Sequence, residues 1–447
     1  MSVRSCHPRI IASPPGPKTR ELLKRDFRVA SPSLEKGLPL SIEYAEGAFV
    51  MDLDGNRYID LTSGWLTSNL GHRHPAVVRS IEEQVKKLIS FPYRRFYSRL
   101  VTELSEELAE IAPGTSEKRV LLSTSREDSV DAALKMARWN TRRQIYLTHT
   151  GSYHGESVAA NTLTSNDIRR RIHMPISSSV VHIPSPNCYR CSITRGGEPC
   201  KSLYCLQFFE DALATVAPPQ DTAAFLLEPI QVYNGVTIPP DGYIRKLWRI
   251  LRDNGIPLIV NEGYTALGRT GSWLAVNHWN IIPEAVIMAE NLASGLPIAA
   301  LVAGGEIMDW YPGSHSTTLG GNPISASAAL ATIKTIREEN LMPNANREGL
   351  YIKKRLKELQ ETQPGIGEVR GIGLLIGIEI VKTVEGKEPD TKKAEMIVRE
   401  CWKKGVIIDV CGKSTVLIAP PINIQRETVD LSLEIIEASI KRVENSI

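Results

Sequence analysis

Two short apolar runs, Pro257–Val260 (PLIV) and Ala285–Ala289 (AVIMA), constrain this chain more than any other feature. Each is too short for an ordinary helix and too uniformly apolar for a strand with one face in water. Runs of this kind, bounded by turn residues, are strands covered on both faces. The first ends at Asn261, the second at Glu290, and the Gly-rich loop Gly268–Gly271 lies between them. Polar residues just past the C-terminal ends of such strands are where open α/β sheets place their chemistry.

The rest of the chain alternates strands and helices in the same manner. Helical spacing predicts helices over Thr19–Asp26, after Pro75, over Tyr97–Ala112, Asp128–Trp139 and Tyr243–Asn254, and four more beyond residue 325: Ser325–Glu338, Ala345–Glu361, Lys392–Lys404 and Glu427–Glu444. Val120–Ser123 and Phe225–Gln231 read as strands, and Ile366–Val381 as a hairpin. AFVMDLDGNRYIDLTSG reads as another, turning at Asp54-Gly55. At 447 residues the chain is long enough for two domains. Its net charge of +3 is too mild to argue for nucleic acid, and no apolar run approaches a membrane span. The first residues lack the apolar centre of a signal peptide, so a cytoplasmic protein is the simplest reading.

Four motifs then occur in order: Glu228-Pro-Ile-Gln231, N-E-x-x-T-x-x-G-R-T-G from Asn261, A-E-N-L-A-S-G-L-P from Ala289, and Gly320-Gly-Asn-Pro323. This order resembles the class-III aminotransferases, pyridoxal-phosphate (PLP) enzymes of fold type I, and above all archaeal 4-aminobutyrate and ω-amino-acid aminotransferases and amino-acid racemases. The resemblance runs from Gly16 to about Glu444. It implies an α/β large domain with a mostly parallel central sheet flanked by helices, and a smaller α+β domain from both chain ends. The expected boundaries are 1–75 for the N-terminal part of the small domain, 76–325 for the large domain, and 326–447 for the rest of the small domain.

The departures from the family pattern gather at the expected cofactor site. The resemblance places a Schiff-base lysine where this chain has Glu290, and a pyridinium-binding aspartate where it has Asn261. A carboxylate cannot condense with an aldehyde, and no lysine occurs from Leu247 to Ile333. The phosphate loop reads Ser125-Arg126-Glu127-Asp128; Arg126 and Glu127 replace small residues that let backbone N–H groups approach a phosphate. The expectation is a filled or salt-bridged pocket, Arg126 as an anion grip being the alternative. Glu290 is expected to pair with Arg126.

By the same resemblance Tyr153 stacks on the cofactor ring, and Tyr264 replaces a small polar residue facing it. Thr318 is the residue offered across a dimer interface to a partner's phosphate, or else simply part of a turn there. Leu417 holds the place of a substrate-carboxylate arginine. Ser125, Arg126, Tyr153, Glu228, Tyr264 and Thr318 are thus expected as vestigial cofactor contacts. Lys246 reads as a solvated helix residue.

Residues 187–206 form a Cys-rich insertion with Cys188, Cys191, Cys200 and Cys205. Four thiolates so spaced suit tetrahedral zinc, the alternative being a reduced or disulfide-linked surface segment. Taken together, these features lead to the expectation of a folded aminotransferase homologue without PLP and without catalysis, a structural or regulatory subunit forming a homodimer or a heterodimer with an active paralogue. The alternatives are a repurposed enzyme using Glu290 with Glu262, His154 and Arg126, or a retained PLP-dependent aminotransferase or racemase.

Overall fold

The computed structural model describes residues 7–165, 179–194 and 202–446, which divide into two compact units. The unit spanning Pro75–Met342 is built on a seven-stranded sheet. In spatial order its strands are Lys118–Ser123, Ala299–Gly304, Ala285–Met288, Leu258–Asn261, Thr222–Leu227, Ile145–His149 and Val180–Ile183. Ala299–Gly304 runs antiparallel to both its neighbours, and the last five are mutually parallel. The two apolar runs are adjacent central strands, paired Val260 to Val286 and Asn261 to Ile287. Every residue of Leu258–Asn261 and Ala285–Met288 is buried, which explains the absence of apolar–polar alternation.

Successive side chains of a strand leave opposite faces, so each strand serves two layers. On one face Leu226, Ile259, Ile287 and Leu301 pack in a single cluster with Val130, Ala133 and Ala137 of the helix Arg126–Thr141. Phe225, the neighbour of Leu226, meets Phe209 edge-on and contacts His149, which in turn contacts Tyr243. Phe209 and Tyr243 come from the helices Tyr204–Ala214 and Tyr243–Asp253 on the other side. Tyr243, Ile244, Leu247 and Leu251 form the buried stripe of the latter helix, and Lys246 is exposed, as helical spacing requires.

The second unit comprises Met1–His74 and Pro343–Ile447. It contains two four-stranded sheets. One joins the hairpin Phe49–Met51/Arg57–Asp60 to Tyr44–Glu46 and to Val406–Ile407; its turn has Gly55 at φ 85° and Asp52 accepting from the Asp54 and Asn56 backbone N–H groups. The other joins the strands Ile366–Ile372 and Leu375–Ile380 to Thr415–Ile418 and Asp409–Cys411. Leu417 lies fully buried in Thr415–Ile418, paired with Gly377 and Asp409. Among the described residues no helix is long and apolar enough to cross a membrane.

Candidate functional site

Parallel strands bring their C-terminal ends to one edge of the sheet, and there the sequence places Ser123–Ser125, Glu228, Asn261 and Glu290. Ser125 is the N-cap of the helix Arg126–Thr141; its side chain accepts from the Asp128 backbone N–H at 3.3 Å. Glu127 and Asp128 lie in the first turn, where negative charge favours the helix dipole. Arg126, the first helical residue, turns inward and is 2 % exposed.

Arg126 is the centre of the cluster. Its Nη2 lies 2.7 Å from Glu290 Oε1. The guanidinium carbon stands 3.7 Å from the Tyr264 ring centroid and 5.2 Å from that of Tyr153. Tyr153 stacks on Tyr233 with centroids 4.4 Å apart. The pairing of Arg126 with Glu290 is thus as the sequence led one to expect. Burial works against the guanidinium charge, but Glu290 and the surrounding acidic groups hold it protonated.

Gly263 makes this approach sterically feasible. A Cβ there would lie 2.6 Å from Arg126 Nε and 2.7 Å from Glu290 Oε2. Gly155, at φ 128°, plays the same part for Glu127, whose Cγ would be 2.3 Å from an added Cβ. The sequence marks Gly263 only as the residue after Asn261-Glu262, and nothing in its spacing announces this role.

Behind the ion pair lies a buried polar layer. Asn261 Nδ2 donates to His154 Nδ1 at 3.2 Å, and Asn261 Oδ1 accepts from the Gly263 N–H at 3.1 Å. Burial lowers the His154 pKa to about 3, so the ring is neutral. With Nδ1 accepting, His154 Nε2 carries the proton toward Thr148 Oγ1 at 2.9 Å. Glu228 Oε2 accepts from the Tyr153 N–H at 3.1 Å. Burial raises the Glu228 pKa to about 8, outweighing that N–H and the charge of Arg126. Glu262 is fully buried and accepts from the Ala275 and Val276 N–H groups, both at 2.9 Å. It also bonds to Thr265. It is a structural clamp, which corrects its expected availability to a substrate.

Thr318 is exposed, on a loop anchored nearby by His315 Nε2 and Asp128 Oδ1 at 2.9 Å; neither His315 nor this contact was foreseen. Cys200 lies outside the described residues. Cys191 accepts from the Thr194 N–H at 3.4 Å, and among the described residues no group of three or more His, Cys, Asp or Glu is placed to hold a metal.

Compared with known proteins, residues 31–440 match the family Aminotransferase class-III. The alanine/serine racemase of Pyrococcus horikoshii is 36 % identical over 97 % of this chain and 93 % of its own. A probable 4-aminobutyrate aminotransferase of Bacillus subtilis is 30 % identical over 94 % of this chain and 96 % of its own. Among solved structures, the taurine:2-oxoglutarate aminotransferase of Bifidobacterium kashiwanohense, in complex with PLP and glutamate, superimposes with a TM-score of 0.89 at 25 % identity. That match covers 96 % of this chain and 98 % of that one.

These matches overturn two expectations. A non-catalytic structural or regulatory subunit was expected, with an enzyme repurposed around Glu290 as an alternative; the relatives are named for racemisation and amino transfer along essentially the whole chain. A protein without PLP was expected; the fold neighbour contains it. The substitutions, taken together, pointed away from the cofactor; in the fold Arg126, Glu290 and Gly263 form one packed arrangement. The chain's fit to the cofactor is divided. Ser125 at a helix N-terminus and the ring of Tyr153 are compatible with it. A covalent link at residue 290 does not fit, because Glu290 has no amine, and the Arg126 guanidinium already lies against the rings of Tyr264 and Tyr153.

Proposed function

Because the chain belongs to the class-III aminotransferase family, we propose that it acts on the amino group of amino acids, as a PLP-dependent aminotransferase or racemase. The observation that carries this reading is the 36 % identity to an alanine/serine racemase across 97 % of the chain. Bound PLP supplies an electron sink for bonds at the amino-bearing carbon. On this reading it would be held without a bond to residue 290. Tyr153 would contact the ring, and Ser125 with the helix N-terminus would hold the phosphate.

The test is a turnover assay with added PLP. L-alanine, L-serine and 4-aminobutyrate are followed by chiral separation for racemisation and with 2-oxoglutarate for amino transfer. Turnover that depends on PLP, with no borohydride-stable adduct on residue 290, is the expected result. No turnover of any of these substrates at saturating PLP rules the reading out.

The assembly belongs to the same reading: a homodimer. Phe91, Phe96, Tyr97 and Leu319 are exposed apolar residues. Asn322 Nδ2 donates to the Ile89 carbonyl at 3.1 Å, tying their two segments together. Contiguous exposed apolar surface of this kind marks an interface.

A further inference from the structure

We infer that Arg126, Glu228 and Glu290 form a non-covalent site for a free amino acid, in which Arg126 takes the carboxylate and the two glutamates face the ammonium. This inference deepens the amino-acid reading above and rests on it for the substrate class. It starts from unmet hydrogen bonds. A guanidinium carries five N–H donors; that of Arg126 is almost wholly buried, yet Nε and Nη1 have no hydrogen-bond partner. Nη2 touches Glu290 at 2.7 Å without an aligned hydrogen bond. Glu228 Oε1 and Glu290 Oε2 are likewise buried acceptors without partners. Buried polar groups are rarely left so, because each costs free energy until something satisfies it.

The mixture of donors and acceptors selects the ligand. A phosphate or simple carboxylate meets only the donors, and a simple amine meets only the acceptors. A zwitterion meets both. Charge agrees: Arg126 and Glu290 are oppositely charged partners, and burial raises the Glu228 pKa to about 8, so it holds its proton near neutrality. A ligand of zero net charge therefore joins without leaving a buried charge unpaired. The rings of Tyr153, Tyr233 and Tyr264 stand within 6.4 Å of one another and offer π faces to an ammonium.

A further observation fits. Glu290 and Tyr233 are the solvent-facing members of the cluster, at 23 % and 40 % exposure, whereas the Arg126 side chain, at 1 %, is its floor. A ligand enters past Glu290 and exchanges that carboxylate for its own on Arg126.

The test is calorimetric titration of the full-length protein with L-alanine, L-glutamate and 4-aminobutyrate, against acetate and methylammonium. At least one amino acid is expected to saturate a single site, at least about tenfold more tightly than either half-ligand, as charge-assisted hydrogen bonds require. Arg126→Gln is expected to weaken it by about tenfold or more. Arg126→Gln/Glu290→Gln, which leaves no lone buried charge, does the same while keeping the wild-type melting transition. No saturable binding of any amino acid, equal binding of acetate, or unchanged affinity in the folded double variant overturns the site. Turnover with unchanged KM in the double variant overturns this site but leaves the amino-acid reading standing. Arg126-dependent binding without turnover does the reverse.

Discussion

Arg126 Nη2 stands 2.7 Å from Glu290 Oε1, although the two residues lie beyond different strands of the sheet and are separated by well over a hundred positions of chain. The contact pins the start of the helix Arg126–Thr141 to the end of Ala285–Met288. Taking both charges out of water is costly, and their attraction roughly repays that cost only while both are present.

Removing one partner alone is therefore the damaging change. Glu290→Gln is expected to cost about 2 kcal/mol, below the fully buried range because Glu290 keeps some solvent. Arg126→Met/Glu290→Leu, which removes both charges, is expected within about 1 kcal/mol of wild type. Urea denaturation of Arg126→Met, Glu290→Leu and the pair completes the cycle. Additive losses would show that the pair is not coupled.

The frame of this site was legible because buried strands and amphipathic helices write long, regular patterns. Val260 and Val286 pair in the sheet as their two apolar runs imply, and the stripe of Tyr243, Leu247 and Leu251 was visible as spacing. Ala299–Gly304 was not, because Ala-Ala-Leu-Val-Ala-Gly has weak strand preference; hydrogen bonding to a neighbour on each side holds it. At the site, the meeting of Arg126 and Glu290 could be guessed from charge. The glycine between them could not, since the need for a missing Cβ is a property of three-dimensional approach.

That glycine gives its own prediction. Its φ is not in the left-handed region, so Gly263→Ala acts by contact, through a Cβ 2.6 Å from Arg126 Nε. Overpacking of this kind costs about 1–3 kcal/mol. In an Arg126→Ala/Glu290→Ala background the obstructing atoms are gone and most of that cost should vanish. Thermal melts of the four proteins measure the coupling, and an equal cost in both backgrounds would place the strain elsewhere.

Self-association is the next expectation. Phe91 and Phe96 are in ring contact at 4.5 Å, half-exposed, beside the fully exposed Tyr97. Sedimentation equilibrium should give twice the 49.5 kDa chain mass. Phe91→Asp/Phe96→Asp should weaken the dimer by about tenfold or more, since two charges replace buried aromatic surface. A monomeric wild type at micromolar concentration would remove the proposed assembly.

Glu228 sets the pH dependence above neutrality's acid side. Its pKa is raised from 4.5 to about 8, chiefly by burial. The folded chain thus keeps a proton that the unfolded chain releases at lower pH, and stability falls with pH wherever the folded state binds more protons. The Glu228 contribution is complete below the unfolded value of 4.5 and is lost as pH rises through about 8. His149 and His154, both lowered to about 3 by burial, act in the opposite sense: their contribution is complete above 6.5 and is lost as pH falls toward about 3. Glu228→Gln keeps a neutral side chain throughout, so it removes only the first slope. Its stability relative to wild type should rise steadily between about pH 5 and about pH 8, by at most about 1.4 kcal/mol per pH unit. Urea denaturation of both proteins across that range is the measurement. Parallel stability curves would mean that Glu228 is ionised in the folded protein, with Arg126 rather than burial deciding its charge.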